Sequence, residues 1–124
     1  MKSKLLFSEL TESIIGCSFE VFKELGYGLS ERSYQSALAQ EFEEKGLVYS
    51  KEKYGNIAYK GKRIYKYYLD FLVENKVAVE LKVRNEIYQK DINQLLSYIK
   101  SENVKVGLLI VFTRDGAKVK RLVN

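Results

Sequence analysis

One stretch near the C-terminus limits the possible folds of this chain more than any other, because residues 104–112 are almost all apolar. A strand buried on both faces has this pattern, whereas a strand with one wet face alternates apolar and polar residues. Such a strand needs other secondary structure packed on each side of its sheet. The run therefore predicts an α/β protein with a covered central strand.

Helical periodicity elsewhere supplies the covering layers. Apolar residues at helical spacing predict a helix over residues 8–25, which Gly26 ends. Ser30 is a suitable N-cap for a second helix that runs to about residue 45. A third helix is predicted over residues 89–101, with an apolar stripe along one side.

Segments rich in β-branched and aromatic residues predict the strands. They cover residues 48–59, 62–73 and 77–83, and a short strand over 118–123 follows a turn at 114–116. The first three are joined by short turns and should form an antiparallel meander, and the third helix then crosses over to the buried strand. The order is ααβββαβ, optionally with a final β. We expect one domain over residues 1–124.

The composition excludes several kinds of chemistry. The chain has no histidine, which excludes Ser-His-Asp and Cys-His nucleophiles. Cys17 is the only cysteine, and its apolar helical setting is typical of a core residue. An enzyme built from this chain must use carboxylates, lysines, hydroxyls and a hard metal ion bound through oxygen.

The charge favours a polyanionic partner, since the formal net charge is +5. Tyrosines alternate with basic residues over 59–68, a pattern that suits nucleic-acid contact, although the β-propensity of tyrosine explains it equally well. No apolar run reaches the roughly 18 residues of a membrane span, and the N-terminus lacks the apolar core of a signal peptide. A cytoplasmic protein without membrane contact is expected.

Three polar residues lie in strands that otherwise look core-bound. Glu80 and Lys82 are two apart and point to one face of their strand, while the apolar residues around them point to the other. If the preceding loop comprises residues 74–76, Asp70 lies opposite Glu80 with Cβ atoms about 5 Å apart. A loop of two or four residues would turn Asp70 to the apolar side and bury it unpaired, so we prefer three residues.

Two opposed carboxylates repel each other unless a cation neutralises them. Mg²⁺ or Mn²⁺ prefers such oxygen ligands, and Lys82 could then position water or stabilise charge on a phosphate. The competing interpretation is an Asp70–Lys82 salt bridge with Glu80 in solvent.

An acid on the second helix supports the interpretation as a metal site. Glu31 shares a stripe with the apolar residues of that helix, which predicts a third carboxylate on its buried face. The alternative is an acid favoured at this position by the helix dipole.

Two motifs in order point to a known family. Residues 28–34 read G-x-x-E-x-x-Y, and Asp70 with Glu80 and Lys82 reads D-x(9)-E-x-K. Together they resemble the GxxExxY family of the PD-(D/E)XK nuclease-like superfamily. The resemblance implies a restriction-endonuclease-like αβββαβ core, with a mixed central sheet flanked by helices and an extra N-terminal helix. It also implies that Asp70 and Glu80 bind Mg²⁺, that Lys82 assists the attacking water, and that Glu31 is the acid of the first core helix.

Residues 94–98 resemble the Q-x-x-x-Y element of RecB-like members. Gln94 and Tyr98 are therefore expected to contact substrate or to support the metal ligands, with core packing as the alternative for Tyr98. The same role is expected for Tyr34, the last residue of the motif at residues 28–34. The predicted function is Mg²⁺- or Mn²⁺-dependent hydrolysis of phosphodiester bonds, in DNA ahead of RNA. The alternatives are a non-catalytic nucleic-acid or protein interaction module and an enzyme for another phosphate ester. A homodimer is expected, because two subunits could cut both strands of a duplex.

Overall fold

The computed structural model describes residues 6–124, and the prediction about the N-terminal segment lies partly outside this range. The elements within it are α1 (Ser8–Leu25), α2 (Glu31–Glu44), β1 (Tyr49–Tyr59), β2 (Lys62–Val73), β3 (Val77–Val83), α3 (Gln89–Glu102), β4 (Val106–Thr113) and β5 (Gly116–Val123). The predicted element types and order are confirmed, and every end agrees within two residues. As predicted, Ser30 caps α2, because its hydroxyl accepts the Ser33 N–H at 3.1 Å.

The strands form one mixed sheet in the order β1-β2-β3-β4-β5. Only β3 and β4 run parallel among the described strands, and α3 makes the crossover between them. Val73 pairs with Val77, which confirms the three-residue loop 74–76. Glu74 and Asn75 both adopt positive φ of 55° in this loop.

Helices cover the sheet on both sides, so β4 is buried along its whole length, as the apolar run predicts. On one side, α1 and α2 pack against Phe71, Val79 and Leu81. On the other side, α3 packs against Leu69 and the opposite face of β4. The described helices include none long and apolar enough to cross a membrane.

The apolar residues at helical spacing that predict α1 do not all face the core. Phe19 and Leu25 are 54% and 40% exposed, and the helix instead buries a line that contains Thr11, Cys17 and Ser18. The two hydroxyl groups can be buried because each donates to a backbone carbonyl of its own helix. The predicted core position of Cys17 is confirmed.

The hairpin of β1 and β2 extends well beyond its pairing with β3. β2 pairs with β1 from Lys62 to Val73, but the register with β3 covers only residues 71–73. We call residues 53–69 the arm. At its base the side-chain alternation breaks, since Phe71 packs toward α1 and α2 whereas Leu69 packs toward α3. Asp70 lies at this break.

Candidate active site

Asp70 and Glu80 lie where β2 separates from β3. The last paired residues are Phe71 and Val79. Beyond them, the Asp70 N–H donates to Glu80 Oε1 at 3.1 Å, and the Leu81 N–H donates to Asp70 Oδ2 at 2.8 Å. Each carboxylate thus accepts a hydrogen bond from the backbone of the opposite strand. The two acids are adjacent, as the three-residue loop predicts.

The electrostatics of the pair follow from its burial. Glu80 is 7% exposed, so the alternative in which it is solvated is wrong. Loss of water, followed by the charge of Asp70, raises the pKa of Glu80 to about 8. Burial also raises the pKa of Asp70, and the charge of Lys82 lowers the pKa of both acids. Near neutral pH the pair therefore favours binding a proton or another cation.

Lys82 lies on the same side of β3 as Glu80. Val79 and Leu81 belong to the core under α1 and α2, so Glu80 and Lys82 share the opposite face, as predicted, and this face is the α3 side. Lys82 is half-buried, and its charge also helps to lower the pKa of Asp91. The ammonium group is thus within electrostatic reach of three acids.

Glu31 does not lie on the buried face of α2, so that prediction is wrong. It is exposed, while Tyr34, Leu38 and Phe42 are completely buried. Glu31 precedes Tyr34 by three residues, which is less than one helical turn, so the two side chains do not point in the same direction. Glu31 is also the first residue of α2, and its side chain extends past the end of the core. Its charge nevertheless raises the pKa of Asp70, which shows that the two groups are near each other.

A pocket of about 200 Å³ brings Glu31 and Asp70 together. Its lining is Glu31, Arg32, Gln35, Glu52 and Asp70. Gln35 Nε2 donates to Asp70 Oδ1 at 3.0 Å. Gln35 and Glu52 are not among the predicted site residues.

The sequence contains a pattern that could have indicated Gln35 as a site residue, but none that indicates Glu52. Gln35 follows Glu31 by four residues, and this spacing puts both on one side of α2. Glu52 lies in a Lys-Glu-Lys run typical of a solvated strand, and only the register places it beside Asp70. Its φ of 52° is unusual for a non-glycine residue in a strand.

Tyr34 shapes the loop before α2. It is fully buried, and its ring stacks on Phe112 with centroids 4.2 Å apart. Its hydroxyl donates to the Gly26 carbonyl and accepts the Leu29 N–H at 3.4 Å. These contacts fix the chain just before Glu31, and a contact of Tyr34 with substrate stays a prediction.

The two α3 residues differ in their surroundings. Tyr98 is buried and stacks on Tyr67 with centroids 4.1 Å apart, in agreement with core packing. The charge of Glu80 contributes to the raised pKa of Tyr98, after burial and a hydrogen bond with Tyr65, so Tyr98 also lies near the acids. Gln94 Oε1 is buried and has no hydrogen-bond partner within residues 6–124. The predicted substrate or ligand-support roles of both residues stay predictions.

An ion pair between half-buried Arg84 and buried Asp91, which was not predicted, begins at the first turn of the same helix. Arg84 makes two hydrogen bonds to Asp91, of 2.9 and 3.0 Å. Asp91 is 3% exposed, and the hydrogen bonds from Arg84 lower its pKa. The hydrogen bonds to Asp91 and, to a smaller extent, the charge of Glu31 raise the pKa of Arg84.

Asp70 and Glu80 are chemically suited to a divalent cation. They are adjacent, largely buried carboxylates whose pKa values are raised, and oxygen ligands of this kind suit Mg²⁺ or Mn²⁺. In the part of the chain that the structure describes, no three potential ligands cluster around one point. Glu31 would therefore have to turn inward to act as a third ligand.

Comparison with known proteins assigns the fold to a class. The family model of the PD-(D/E)XK nuclease superfamily matches residues 8–122, so the chain belongs to this superfamily. The mixed five-stranded sheet, its flanking helices and the additional N-terminal helix agree with a restriction-endonuclease-like fold, as predicted.

A solved structure supports the same fold. The crystal structure of SSO0001 superimposes with a TM-score of 0.51 at 14% identity, covering 93% of this chain and 77% of the other. At this identity the similarity concerns the fold alone. No curated protein matches the chain significantly.

Proposed function

We propose that the chain is a Mg²⁺- or Mn²⁺-dependent nuclease that hydrolyses phosphodiester bonds, in DNA ahead of RNA. The observation that carries this proposal is the adjacent pair of half-buried Asp70 and buried Glu80, with Lys82 on the same face of β3 as Glu80. Membership of the nuclease superfamily supports it. The motif at residues 28–34 supports an assignment to the GxxExxY branch. A cytoplasmic location and a homodimer remain predictions.

The acids would hold the ion. Asp70 and Glu80 are the proposed ligands, and Glu31 is the third. When bound, a divalent ion stabilises negative charge that develops on the phosphate. Both oxygens of Asp70 already accept hydrogen bonds, from Gln35 and Leu81, so the Gln35 amide would compete with the ion.

Lys82 and Glu31 would act on water and substrate. The Lys82 ammonium group can donate a hydrogen bond to the attacking water or to a phosphate oxygen. Glu31, exposed at the rim of the pocket, can accept a hydrogen bond from water and orient it. Gln94 and Tyr98 are proposed to contact substrate or the ligands from α3.

The test combines metal uptake and hydrolysis. Isothermal titration with Mn²⁺ should show uptake by the wild-type chain and none by Asp70→Asn, whose circular dichroism should be unchanged. Hydrolysis of labelled DNA should fall by at least about a hundredfold in Asp70→Asn and in Lys82→Ala. The matched control is Asp115→Asn, the same change at an exposed acid of the β4–β5 turn, which should keep wild-type uptake and hydrolysis.

The second candidate is a non-catalytic interaction module on the same scaffold. The observation that favours it is the lack of three clustered ligands within residues 6–124. If the wild-type chain takes up no Mn²⁺ but still binds nucleic acid or protein, this candidate replaces the nuclease.

A further inference from the structure

We infer that the outer face of the arm is a stacking surface for single-stranded nucleic acid, which it presents next to Asp70. We define the outer face as Tyr54, Asn56, Arg63, Lys66 and Tyr68. The inference rests on the proposed function for its substrate class and adds the form of the substrate, namely unpaired bases near the reacting phosphate.

The first argument is charge. The arm, residues 53–69, contains five basic residues and no acid, whereas the whole chain has 21 basic and 16 acidic residues. Lys53 is neutralised by Glu102 at 2.8 Å, and Lys60, Lys62, Arg63 and Lys66 are exposed. A two-stranded ribbon with this charge attracts the phosphates of a nucleic acid.

The second argument is the unusual exposure of tyrosine. The two tyrosines of the outer face, Tyr54 and Tyr68, are 42% and 59% exposed. Tyr54 and Tyr68 pair across the strands, with ring centroids 5.5 Å apart in an edge-to-face contact. Arg63 donates to the Tyr54 hydroxyl at 3.0 Å and helps to hold that ring in place. The result is a partly ordered aromatic surface that also carries positive charge.

The inner face of the arm is already occupied. Tyr67 and Ile57 pack toward α3, and the Tyr67 hydroxyl donates to Glu102 and lies 2.9 Å from the Ser101 hydroxyl. A Cβ at Gly55 would meet the Tyr67 ring at 2.4 Å, so the strand lies against this tyrosine. Since α3 packs against the inner face at Ile57 and Tyr67, the outer face is the more open side of this part of the arm.

The position of the arm connects this surface with the site. Asp70 follows the last residue of the arm, and Tyr68 is two residues before it, a strand distance of about 7 Å. A strand of nucleic acid on the outer face would thus pass beside the pocket that contains Asp70 and Glu31.

Unpaired bases fit the outer face better than a duplex or a second copy of the chain. Exposed aromatic rings stack on unpaired bases, whereas the bases of a duplex are already stacked and offer only their edges. Two copies meeting arm to arm would bring their basic residues together, which is unfavourable.

The test is fluorescence anisotropy with the full chain in EDTA, so that binding is measured without hydrolysis. The probes are a labelled oligothymidylate of about 15 nucleotides and a duplex of equal length. We expect tighter binding of the single strand. Tyr54→Ala/Tyr68→Ala should weaken it by about tenfold or more, and Lys66→Ala should lower the slope of log affinity against log salt by about 0.7. Since the chain has no tryptophan, quenching of tyrosine fluorescence should accompany single-strand binding.

The matched controls lie away from the arm. Phe19→Ala removes an exposed aromatic ring of α1, and Lys120→Ala removes an exposed cation of β5, at the opposite edge of the sheet. Both should bind the single strand as the wild type does. Equal affinity for duplex and single strand, or wild-type binding by the arm variants, would overturn the inference. So would a loss of self-association in the arm variants without a loss of oligonucleotide binding.

The same variants separate this inference from the proposed nuclease. If the wild type hydrolyses DNA but the arm variants bind like the wild type, only the arm surface is wrong. If the arm variants lose binding but the wild type neither hydrolyses DNA nor takes up Mn²⁺, only the nuclease is wrong.

Discussion

Two acidic sites of the chain, Asp91 with Arg84 and Glu80 with Asp70, differ in how their charge is balanced. Asp91 receives two hydrogen bonds from Arg84, and its pKa falls. Glu80 lies beside a second acid, Asp70, and its pKa rises to about 8. The first site is a completed ion pair, whereas the second sets two acids side by side.

The difference does not arise from a shortage of cations, because basic residues outnumber acidic ones in the chain. Arg84 is four residues after Glu80, yet its guanidinium pairs with Asp91. A buried pair of like charges is unfavourable for folding unless a cation joins it. The fold has enough basic residues to pair with Asp70 and Glu80, yet the two acids lie beside each other. A cation-binding site requires such a pair of acids.

The largest expected effect comes from breaking the balanced site. Arg84→Ala leaves Asp91 buried without its partner and should lower the free energy of unfolding by about 3 kcal/mol in urea denaturation. Adding Asp91→Asn should recover part of the loss, because no charge then remains buried. Arg63→Ala, at an exposed arginine of the arm, should change stability by less than about 0.5 kcal/mol. A similar loss in both single variants would mean that the Arg84–Asp91 pair is not special.

The second largest expected effect is a gain of stability, and it comes from removing the charge of Glu80. The pKa of Glu80 is raised in the folded chain, so folding favours its protonated form, and stability should fall as pH rises from about 4.5 to about 8. Glu80→Gln removes this cost. In EDTA at pH 9 the variant should be more stable than the wild type by about 2 kcal/mol, with little difference below pH 4. Thermal unfolding across this pH range measures it, and a pH-independent difference would contradict it.

Metal addition should reduce the contrast between the two sites. Mn²⁺ at ten times its dissociation constant should stabilise the wild type by about 1.4 kcal/mol, measured as a rise in the thermal midpoint. Asp70→Asn should show no such rise, whereas Arg84→Ala should keep it from its lower starting point. A rise in Asp70→Asn equal to that of the wild type would place the ion elsewhere.

The smallest effect concerns Gln35, which donates to Asp70. Gln35→Ala should cost about 1 kcal/mol of stability without metal, because a hydrogen bond to a largely buried carboxylate is lost. It should tighten Mn²⁺ binding in titration calorimetry, since the amide no longer competes for the Asp70 oxygen. Gln40→Ala, at an exposed glutamine of the same helix, serves as control.

Local patterns in the sequence were sufficient for the elements and for the central pair of acids. Apolar periodicity depends on which face of an element is buried, and it predicted every helix and strand within two residues. The three-residue loop sets the register of β2 against β3, and this register brings Asp70 beside Glu80. Both results need only neighbouring segments of chain.

Contacts between distant segments were decided only by the tertiary structure. The exposure of Glu31, the approach of Glu52 and Gln35 to Asp70, and the buried face of α1 all depend on how helices sit on a twisted sheet. Rotation of a helix about its axis, or a break in strand alternation such as that at Asp70, changes these contacts while the local pattern stays the same. The sequence by itself therefore determined the elements and the hairpin that carries the acids, and the packing of separate elements decided what surrounds them.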